Sequence, residues 1–287
     1  MSRPIGSKNI KTGTNPANLQ KDVQQAMGAM IGRPVDVQED VPVSPAERVA
    51  LLLSRIKQLQ EDNRPNKYQF SFESFLFDLC QTKDEAAGGI VRHLPPDPYI
   101  YDLIDRYLTH PLILVEKSRR TRISWITCCF DVWIAAGGQD PRWIDERSGR
   151  QILMGSTENR QVILASRKLE DIQGSQWFLH NRVKFIVDTL FKNNVRDHWP
   201  SFPDWEWTAG EARTSNGSYI NAIASGPDQA RGAGCTLVHA EEIAFWPNAR
   251  PSIEGMLPVL LGGGHLIAIT TAQVGTYAHD IVKDDAH

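Results

Sequence analysis

The sequence predicts an α/β fold in which helices flank a mainly parallel sheet. From residue 66 onward, short apolar segments of strand length alternate with longer segments of helical character. Three of the short segments, at 111–115, 236–240 and 265–270, are mostly apolar, as strands buried on both faces of a parallel sheet are. The pair Asn216-Gly217 is typical of a hairpin turn, so we expect an antiparallel ribbon at the margin of the sheet.

Length and composition describe an ordinary globular chain. The sequence has 287 residues, with 31 Lys and Arg against 34 Asp and Glu and a formal net charge of −3. This balance excludes a basic surface over the whole protein, so any contact with nucleic acid has to come from a local patch. The cysteines show no CxxC spacing, and we interpret them as reduced, buried thiols; they are Cys80, Cys128, Cys129 and Cys235.

The first 65 residues differ in character from the rest. Residues 1–43 form a polar tail and a linker rich in Val and Pro, and both are expected to be flexible. Residues 44–65 predict an amphipathic helix with Ser44 as its N-cap, which docks either on the chain's own core or on a partner. No apolar run is long enough to cross a bilayer, so we expect neither a secretion signal nor a membrane contact.

The main domain is expected over residues 66–287, and its elements follow from periodicity and capping signals. Helices are predicted at residues 125–136, from Thr157 to about Gly174, and at 181–190. Strands are predicted at 111–115, 151–154, 205–207, 218–224, 236–240 and 265–270.

A basic loop joins the first buried strand to the helix that follows it. Such a loop directs backbone N–H groups toward the helix N-terminus, where the helix dipole favours phosphate. Four cations lie in this loop, and Ser124 occupies the position from which a P-loop hydroxyl reaches Mg²⁺. Measured against G-x-x-x-x-G-K-[ST], both glycines are missing and Ile123 replaces the lysine. The segment is therefore either a divergent phosphate loop or a solvated basic loop.

Two further groups of polar residues follow apolar strands. Glu241 and Glu242 end the strand at 236–240, and an acid pair at this place serves a nucleoside triphosphatase, one acid at the metal and the other at the attacking water. Thr270 and Thr271 end the strand at 265–270. Because ligands of open α/β sheets collect at the carboxyl ends of strands, all three groups are expected in one crevice. His239 has no Cys or His at ligand spacing, so we interpret it as a hydrogen-bonded core histidine.

The ordered set of motifs resembles a known family, the large motor subunit of the DNA-packaging terminase of tailed bacteriophages, in its Mu-like group. The resemblance covers roughly residues 90 to 280. It depends on 115–125 as a divergent Walker A motif, on 225–232 leading into the Walker B segment 237–247, and on 269–272 as the coupling motif. It implies a P-loop NTPase fold of the ASCE/RecA-like class.

The resemblance also implies roles for individual residues. Ser124 and Glu241 match the metal-binding hydroxyl and acid, Glu242 matches the catalytic carboxylate, and Thr270 and Thr271 match the coupling motif. The residues implied to bind ATP are Lys117, Ser118, Arg119, Arg120, Thr121, Arg122, Ile123 and Ser124. Lys117 fits the family variant in which the phosphate-loop lysine comes early.

Two residues depart from the family pattern. Arg122 stands where most relatives have glycine, and it either adds charge next to the phosphates or blocks the loop. Glu241 stands where aspartate is usual.

Two more roles are implied with alternatives left open. Tyr99 and Tyr101 occupy the place of the adenine-binding segment, where they either contact adenine or pack in the core. Arg213 and Arg231 are candidates for an arginine that acts in a neighbouring subunit, or they are ordinary surface arginines.

The function implied is an ATP-driven translocase of double-stranded DNA that uses ATP and Mg²⁺ in the host bacterial cytoplasm. The implied partners are the portal protein of the procapsid, the small terminase subunit, and further copies in a ring that we expect to be a pentamer. The alternatives are a phosphate-loop module that binds nucleotide or DNA without turnover, and another DNA-dependent ATPase of the helicase class. Because the chain ends soon after the third motif, we expect no nuclease domain and no DNA cleavage.

Overall fold

The computed structural model describes residues 67–84, 87–119, 121–143, 154–166, 174–226, 235–258 and 263–284, without the side chains of 174–177 and 282–284. Contacts divide the chain into two units, Met1–Asp62 and Asn63–His287, and every element described below belongs to the second. The predicted tail, linker and amphipathic helix lie outside the described residues, as does most of the strand predicted at 151–154.

The described part of the chain contains the following elements, numbered in chain order. The helices are α1 (Lys67–Phe70), α2 (Phe72–Ser74), α3 (Pro98–Thr109), α4 (Ile123–Ala135), α5 (Gly174–Lys192), α6 (Val195–His198), α7 (Ala249–Met256) and α8 (Tyr277–Asp284). Shorter turns are a π-helical turn at Phe75–Leu79 and 3-10 turns at Pro141–Trp143 and Ile243–Phe245. The strands are β1 (Thr82–Asp84), β2 (Ile90–Arg92), β3 (Leu112–Lys117), β4 (Gln161–Ser166), β5 (Trp205–Trp207), β6 (Glu211–Thr214), β7 (Tyr219–Ala224), β8 (Leu237–Glu241) and β9 (His265–Thr271).

Seven strands form the main sheet in the order β3-β9-β8-β4-β7-β6-β5. The first five strands in this order are parallel to one another, whereas β6 is antiparallel to both β7 and β5 at one margin. Strands β1 and β2 form a separate antiparallel hairpin. The prediction of a mainly parallel sheet with an antiparallel margin is therefore confirmed. No helix among the described residues has the length and apolar character needed to span a membrane.

The helix predicted from Thr157 to about Gly174 is wrong in its first part. Residues Gln161–Ser166 form β4, which pairs with β7 on one side and with β8 on the other. The four residues 162–165 are all buried, so the segment shows no alternation that distinguishes a central strand from a buried helix. The helix predicted at 181–190 is confirmed as part of α5.

Helix α4 is the apolar helix predicted at 125–136, and it begins two residues earlier. All of its thirteen residues are buried, which is typical of a helix enclosed by the rest of a domain. It contacts α5 and strands β4, β7 and β8, and Ser124 in its first turn donates a hydrogen bond to Glu241 at the carboxyl end of β8. The four cysteines are free and buried, as predicted, and two of them lie in this helix.

Helix α3 buries one apolar stripe in the domain. Asp97 precedes the helix as its N-cap and Pro98 takes the first helical position, where its missing N–H costs nothing. The buried side chains recur at helical spacing and are Ile100, Leu103, Ile104, Tyr107 and Leu108. Tyr99 and Tyr101 fall between them and are exposed.

A buried hydrogen bond joins the two helices. Tyr107 Oη lies 2.7 Å from Thr127 Oγ1, and both side chains are fully buried. Thr127 Oγ1 donates its own proton to Ile123 O at 2.9 Å. The Tyr107 hydroxyl is therefore the donor of the interhelical bond, and Thr127 is its acceptor.

This direction predicts unequal effects of removing either partner. Tyr107→Phe leaves Thr127 still bonded to the backbone, so we expect a loss of about 1 kcal/mol in the free energy of unfolding. Thr127→Val leaves the tyrosine hydroxyl buried without an acceptor, so we expect the free energy of unfolding to fall by about 2 kcal/mol. Urea denaturation measures both values.

The control is Thr109→Val at an exposed position of α3, the helix that carries Tyr107. We expect it to change the free energy of unfolding by less than about 0.5 kcal/mol. Equal losses in Tyr107→Phe and Thr127→Val, or a smaller loss in Thr127→Val, would contradict the assigned direction of the bond.

Candidate active site

The three predicted groups of polar residues meet at one edge of the main sheet. Strand β9 lies between β3 and β8, and all three are parallel, so their carboxyl ends are adjacent. Lys117 is in register with Thr271, and Glu241 is in register with Ile269. The basic loop, the acid pair and the hydroxyl pair are therefore neighbours in space although they are far apart in the chain.

Lys117 links the end of β3 to both acids of β8. Its Nζ lies 2.8 Å from Glu242 Oε1 and 3.7 Å from Glu241 Oε1. The Lys117 side chain is 9% exposed, so the amine interacts with the two carboxylates largely out of water. The predicted phosphate-loop lysine and the predicted acid pair form one charge cluster.

The two predicted threonines have different contacts. Thr271 donates its backbone N–H to Glu242 Oε2 at 3.0 Å and its hydroxyl to Glu242 Oε1 at 3.1 Å. Thr270 accepts a hydrogen bond from Ala244 N at 3.0 Å, so it braces the turn that follows β8. Only Thr271 contacts the predicted catalytic acid.

Glu242 occupies an uncommon backbone conformation. Its φ is 56° and its ψ is 47°, in the left-handed region that residues with a Cβ rarely adopt. The turn that follows β8 is held by Trp246, whose Nε1 donates to Glu241 O at 3.0 Å. The apolar segment after the acid pair thus holds the backbone between Glu241 and Glu242.

Glu241 is buried, and both of its carboxylate oxygens have hydrogen-bond partners. Ser124, in the first turn of α4, donates to Glu241 Oε1 at 2.5 Å, and His239 Nε2 lies 3.2 Å from Glu241 Oε2. Burial by itself raises the pKa of Glu241, but the hydrogen bonds and charges of His239, Ser124 and Lys117 outweigh it and lower the pKa below its usual value. Glu241 is therefore a carboxylate at neutral pH.

A further acid, Asp131, lies behind His239. Asp131 Oδ2 is 2.7 Å from His239 Nδ1, and both side chains are fully buried. Burial lowers the pKa of His239, but Asp131 and Glu241 together raise it to about 9. Burial raises the pKa of Asp131, and the charge and hydrogen bond of His239 oppose that rise. His239 is hydrogen-bonded in the core as predicted.

Sequence reasoning missed Asp131. The available signal was that it is the one acid inside the apolar run of residues 125–136. A carboxylate on a helix that is buried all round needs a partner, and here the partner comes from a neighbouring strand.

The loop between β3 and α4 is tied to the separate hairpin. Arg122 Nη2 lies 2.8 Å from Asp84 Oδ2, and Arg92 also pairs with this buried carboxylate. The backbone of Arg122 is left-handed, with a φ of 60°, and its carbonyl accepts from Trp125 N at 2.9 Å to begin α4. Asp84 therefore holds the Arg122 guanidinium from outside the main sheet and shares its charge with Arg92.

The two tyrosines predicted at the adenine-binding segment have different surroundings. Tyr99 donates its hydroxyl to Thr121 O at 3.0 Å, and it lines a pocket of about 400 Å³ between α3 and β3. Tyr101 does not line this pocket, and its ring packs on Phe77 with centroids 5.2 Å apart.

Of the two arginines predicted to act in a neighbouring subunit, Arg213 and Arg231, the structure describes only Arg213. Arg213 lies on β6, pairs with Glu211, and is separated from β8 by β7 and β4. Arg120 and Arg231 lie outside the described residues.

Three solved structures that are similar to this chain come from phage terminases. The large terminase of bacteriophage HK97 is 14% identical over 75% of this chain and 40% of that chain, with a TM-score of 0.51. The ATPase domain of the large terminase of Thermus phage P74-26, in a mutant form, is 14% identical over 65% of this chain and 74% of that chain, with a TM-score of 0.44. The same domain without the mutation is 15% identical over 66% of this chain and 74% of that chain, with a TM-score of 0.39. No protein-family model matches the chain.

At this level of identity the similarity to the HK97 protein shows a shared fold. That fold is mixed α/β with a mainly parallel sheet, in agreement with the strand order described above. The match spans less than half of the HK97 chain, so the activity and partners of that whole protein are proposals for this one.

The left-handed backbone of Arg122 predicts that glycine is tolerated there better than alanine. Both substitutions remove the ion pair with Asp84, but only alanine keeps a Cβ at a φ of 60°. We expect Arg122→Gly to be more stable than Arg122→Ala by about 1 kcal/mol in denaturant unfolding.

The matched control is the pair Ser118→Gly and Ser118→Ala in the same loop, because Ser118 has no positive φ. There the alanine variant is expected to be at least as stable as the glycine variant. If Arg122→Ala is at least as stable as Arg122→Gly, the backbone of Arg122 is not left-handed in solution.

Proposed function

We propose that this chain is the ATPase motor of a viral terminase, which hydrolyses ATP to move double-stranded DNA into a procapsid. The observation that carries the proposal is the cluster of Lys117, Ser124, Glu241 and Glu242 at the carboxyl ends of neighbouring parallel strands. These four residues are the ones that the terminase resemblance assigns to phosphate, metal and water. The fold shared with the HK97 large terminase supports the same assignment.

The arrangement of Ser124 and Glu241 fits a Mg²⁺ ion. A hydroxyl at the start of a helix and a buried carboxylate lie 2.5 Å apart, and oxygen atoms of these two types hold Mg²⁺ in P-loop enzymes. The low pKa of Glu241 keeps it in the charged form that a divalent cation requires. When bound, the ion would neutralise charge on the phosphate oxygens.

Lys117 and Glu242 are assigned to the phosphate and to the attacking water. Lys117 is the cation of the loop that lies at the acid pair, and in this role it holds terminal phosphate oxygens. Glu242 is 31% exposed, so it is accessible to a water molecule, whereas the Glu241 side chain is only 4% exposed. Thr271 holds Glu242 through two hydrogen bonds, so a movement of β9 changes the position of the catalytic acid.

The finer class and the nucleotide contacts belong to the same proposal. The ASCE/RecA-like class that the resemblance implies is part of this proposal, and its support here is that the strand of the basic loop, β3, and the strand of the acid pair, β8, are parallel neighbours of β9. Tyr99 is bound to the loop and lines the adjacent pocket, which supports an adenine contact better at Tyr99 than at Tyr101. The ATPase domain is assigned to residues 66–287.

Assembly and partners complete the proposal. The motor is proposed to act in the host cytoplasm as a ring, a pentamer on the portal, together with the small terminase subunit. Arg213 and Arg231 remain the candidates for an arginine supplied to the neighbouring subunit. The exposed guanidinium of Arg213, at the far margin of the sheet, is accessible to another copy.

A second function is a nucleotide-binding module with little or no turnover. Its support is the loop itself, which lacks both glycines and carries Arg122 bound to Asp84. ATP turnover by the pure protein, with and without DNA, separates this module from the motor.

Replacing Glu242 tests the catalytic assignment. We expect Glu242→Gln to bind ATP within about threefold of the parent, because the amide keeps the shape and can still accept hydrogen bonds. Turnover should fall by at least about 100-fold, since the carboxylate acts mainly in the transition state. Steady-state hydrolysis and nucleotide titration measure the two quantities.

Glu254→Gln on the exposed surface of α7 removes the same charge away from the site and serves as the control. Hydrolysis by Glu242→Gln at the parental rate would remove Glu242 from the mechanism.

Replacing Lys117 tests the phosphate contact. Lys117→Met keeps the aliphatic stem and removes the charge at the acid pair, so we expect nucleotide affinity to fall by about tenfold or more. Arg122→Gly should reduce affinity less, because the Arg122 guanidinium is held by Asp84. Titration with a fluorescent ATP analogue measures both. Unchanged affinity in Lys117→Met would move the phosphate contact to Arg119 or Arg120.

A further inference from the structure

Three buried side chains connect the interior of α4 to the acid assigned to the metal. Asp131 Oδ2 lies 2.7 Å from His239 Nδ1, and His239 Nε2 lies 3.2 Å from Glu241 Oε2. The exposed fractions are 0% for Asp131 and His239 and 4% for the Glu241 side chain. The two ring nitrogens of His239 are thus both used, one on each carboxylate.

We propose that His239 is a positioning residue, which Asp131 orients and which holds the Glu241 carboxylate in the plane that presents Oε1 to the metal. The inference rests on the proposed ATPase function, which it deepens by adding a second layer of residues behind the metal ligand. His239 itself touches neither nucleotide nor metal in this assignment.

The contacts of Glu241 give the physical reason. The terminal torsion of a glutamate is broad, so one fixed hydrogen bond is needed to define the plane of its carboxylate. His239 supplies that bond to Oε2, which leaves Oε1 directed to Ser124 and Lys117, the two groups next to the phosphate loop. Metal-binding carboxylates are commonly oriented by such outer hydrogen bonds, and their loss costs about 10- to 100-fold in metal affinity.

The histidine ring is itself rigidly held. Asp131 belongs to α4, which is buried along its whole length, and Ser124 begins the same helix. The metal-binding hydroxyl and the group that orients the metal-binding acid are therefore carried by one rigid element. A displacement of α4 moves both together.

A metal ion bound directly by this cluster is a competing interpretation. Cys128, Asp131 and His239 each offer one ligand atom, and these atoms lie within 4.8 Å of one another. However, the facing atoms of Asp131 and His239 are already bonded to each other, and burial raises the pKa of the Cys128 thiol well above its usual value. A protonated thiol and a hydrogen-bonded pair are poor metal ligands.

The experiment compares two substitutions of His239 whose side-chain amides lie at different distances from the backbone. In His239→Gln the amide nitrogen reaches the place of Nε2 and can still donate to Glu241. In His239→Asn it reaches only the place of Nδ1, so it can contact Asp131 but not Glu241. The measured quantity is the ratio of the affinity for a fluorescent ATP analogue with saturating Mg²⁺ to the affinity with EDTA.

We expect this ratio to fall by about tenfold or more in His239→Asn and to stay within about threefold of the parent in His239→Gln. The affinity in EDTA should change less than about twofold in both, because His239 does not contact the nucleotide. His265→Asn is the control for loss of a buried histidine, since His265 lies at the opposite end of β9, and its ratio should be unchanged. Equal ratios in His239→Asn and His239→Gln, or an unchanged ratio in His239→Asn, would overturn the proposal.

Crystal structures of the parent and of His239→Asn separate this inference from the proposed function. If the parent binds no nucleotide, the ATPase assignment fails, but the position of Glu241 is still measurable. A Glu241 carboxylate rotated away from Ser124 in His239→Asn supports the positioning role. A carboxylate that stays in place overturns it, whatever the nucleotide titrations show. Metal density between Cys128, Asp131 and His239 would also overturn it, in favour of a metal site there.

Discussion

The burial of the Glu241 carboxylate is the constraint on which the rest of the site depends. The Glu241 side chain is 4% exposed, so its carboxylate loses nearly all of its hydration, and it remains ionised only when donors and cations replace the water. Ser124, His239 and Lys117 supply that replacement from a helix, from the same strand and from a strand two positions away. His239 in turn requires Asp131, which explains an acid within a fully buried helix. One buried charge thus accounts for four other polar residues.

The strand order makes this arrangement possible. Since β9 separates β3 from β8, the Lys117 side chain crosses β9 to reach Glu241 and Glu242. The end of β9 is therefore next to the ion pair of Lys117 and Glu242. Thr271 therefore contacts Glu242 from the same strand that Lys117 crosses. In the proposed motor this geometry gives the coupling residue a direct physical link to the catalytic acid. No chain of intermediate residues is needed.

The sequence was sufficient for features that depend on local pattern and on the general properties of parallel sheets. Apolar runs followed by polar residues predicted the ends of β3, β8 and β9, and these ends meet at one edge in any such sheet. The partners of Asp131 and Arg122 were not predictable, because they come from elements 108 and 38 residues away in the chain. Strand β4 was misassigned because a segment buried on both faces carries no periodicity. Side-chain pairing across elements is set by tertiary packing, which one sequence does not encode in its local pattern.

The two left-handed residues of the site show how charge and backbone strain are connected. Five non-glycine residues among those described have positive φ; one of them, Glu242, belongs to the cluster around Lys117, and another, Arg122, directly precedes α4, the helix of Ser124. Each is held by an ion pair, Arg122 by Asp84 and Glu242 by Lys117. A conformation that costs about 1–2 kcal/mol persists only where the surroundings fix it. In the proposed reaction, a phosphate group bound by Lys117 would compete with Glu242 for the same amine. The two hydrogen bonds from Thr271 would then be the remaining contacts that hold the Glu242 side chain at the end of β9.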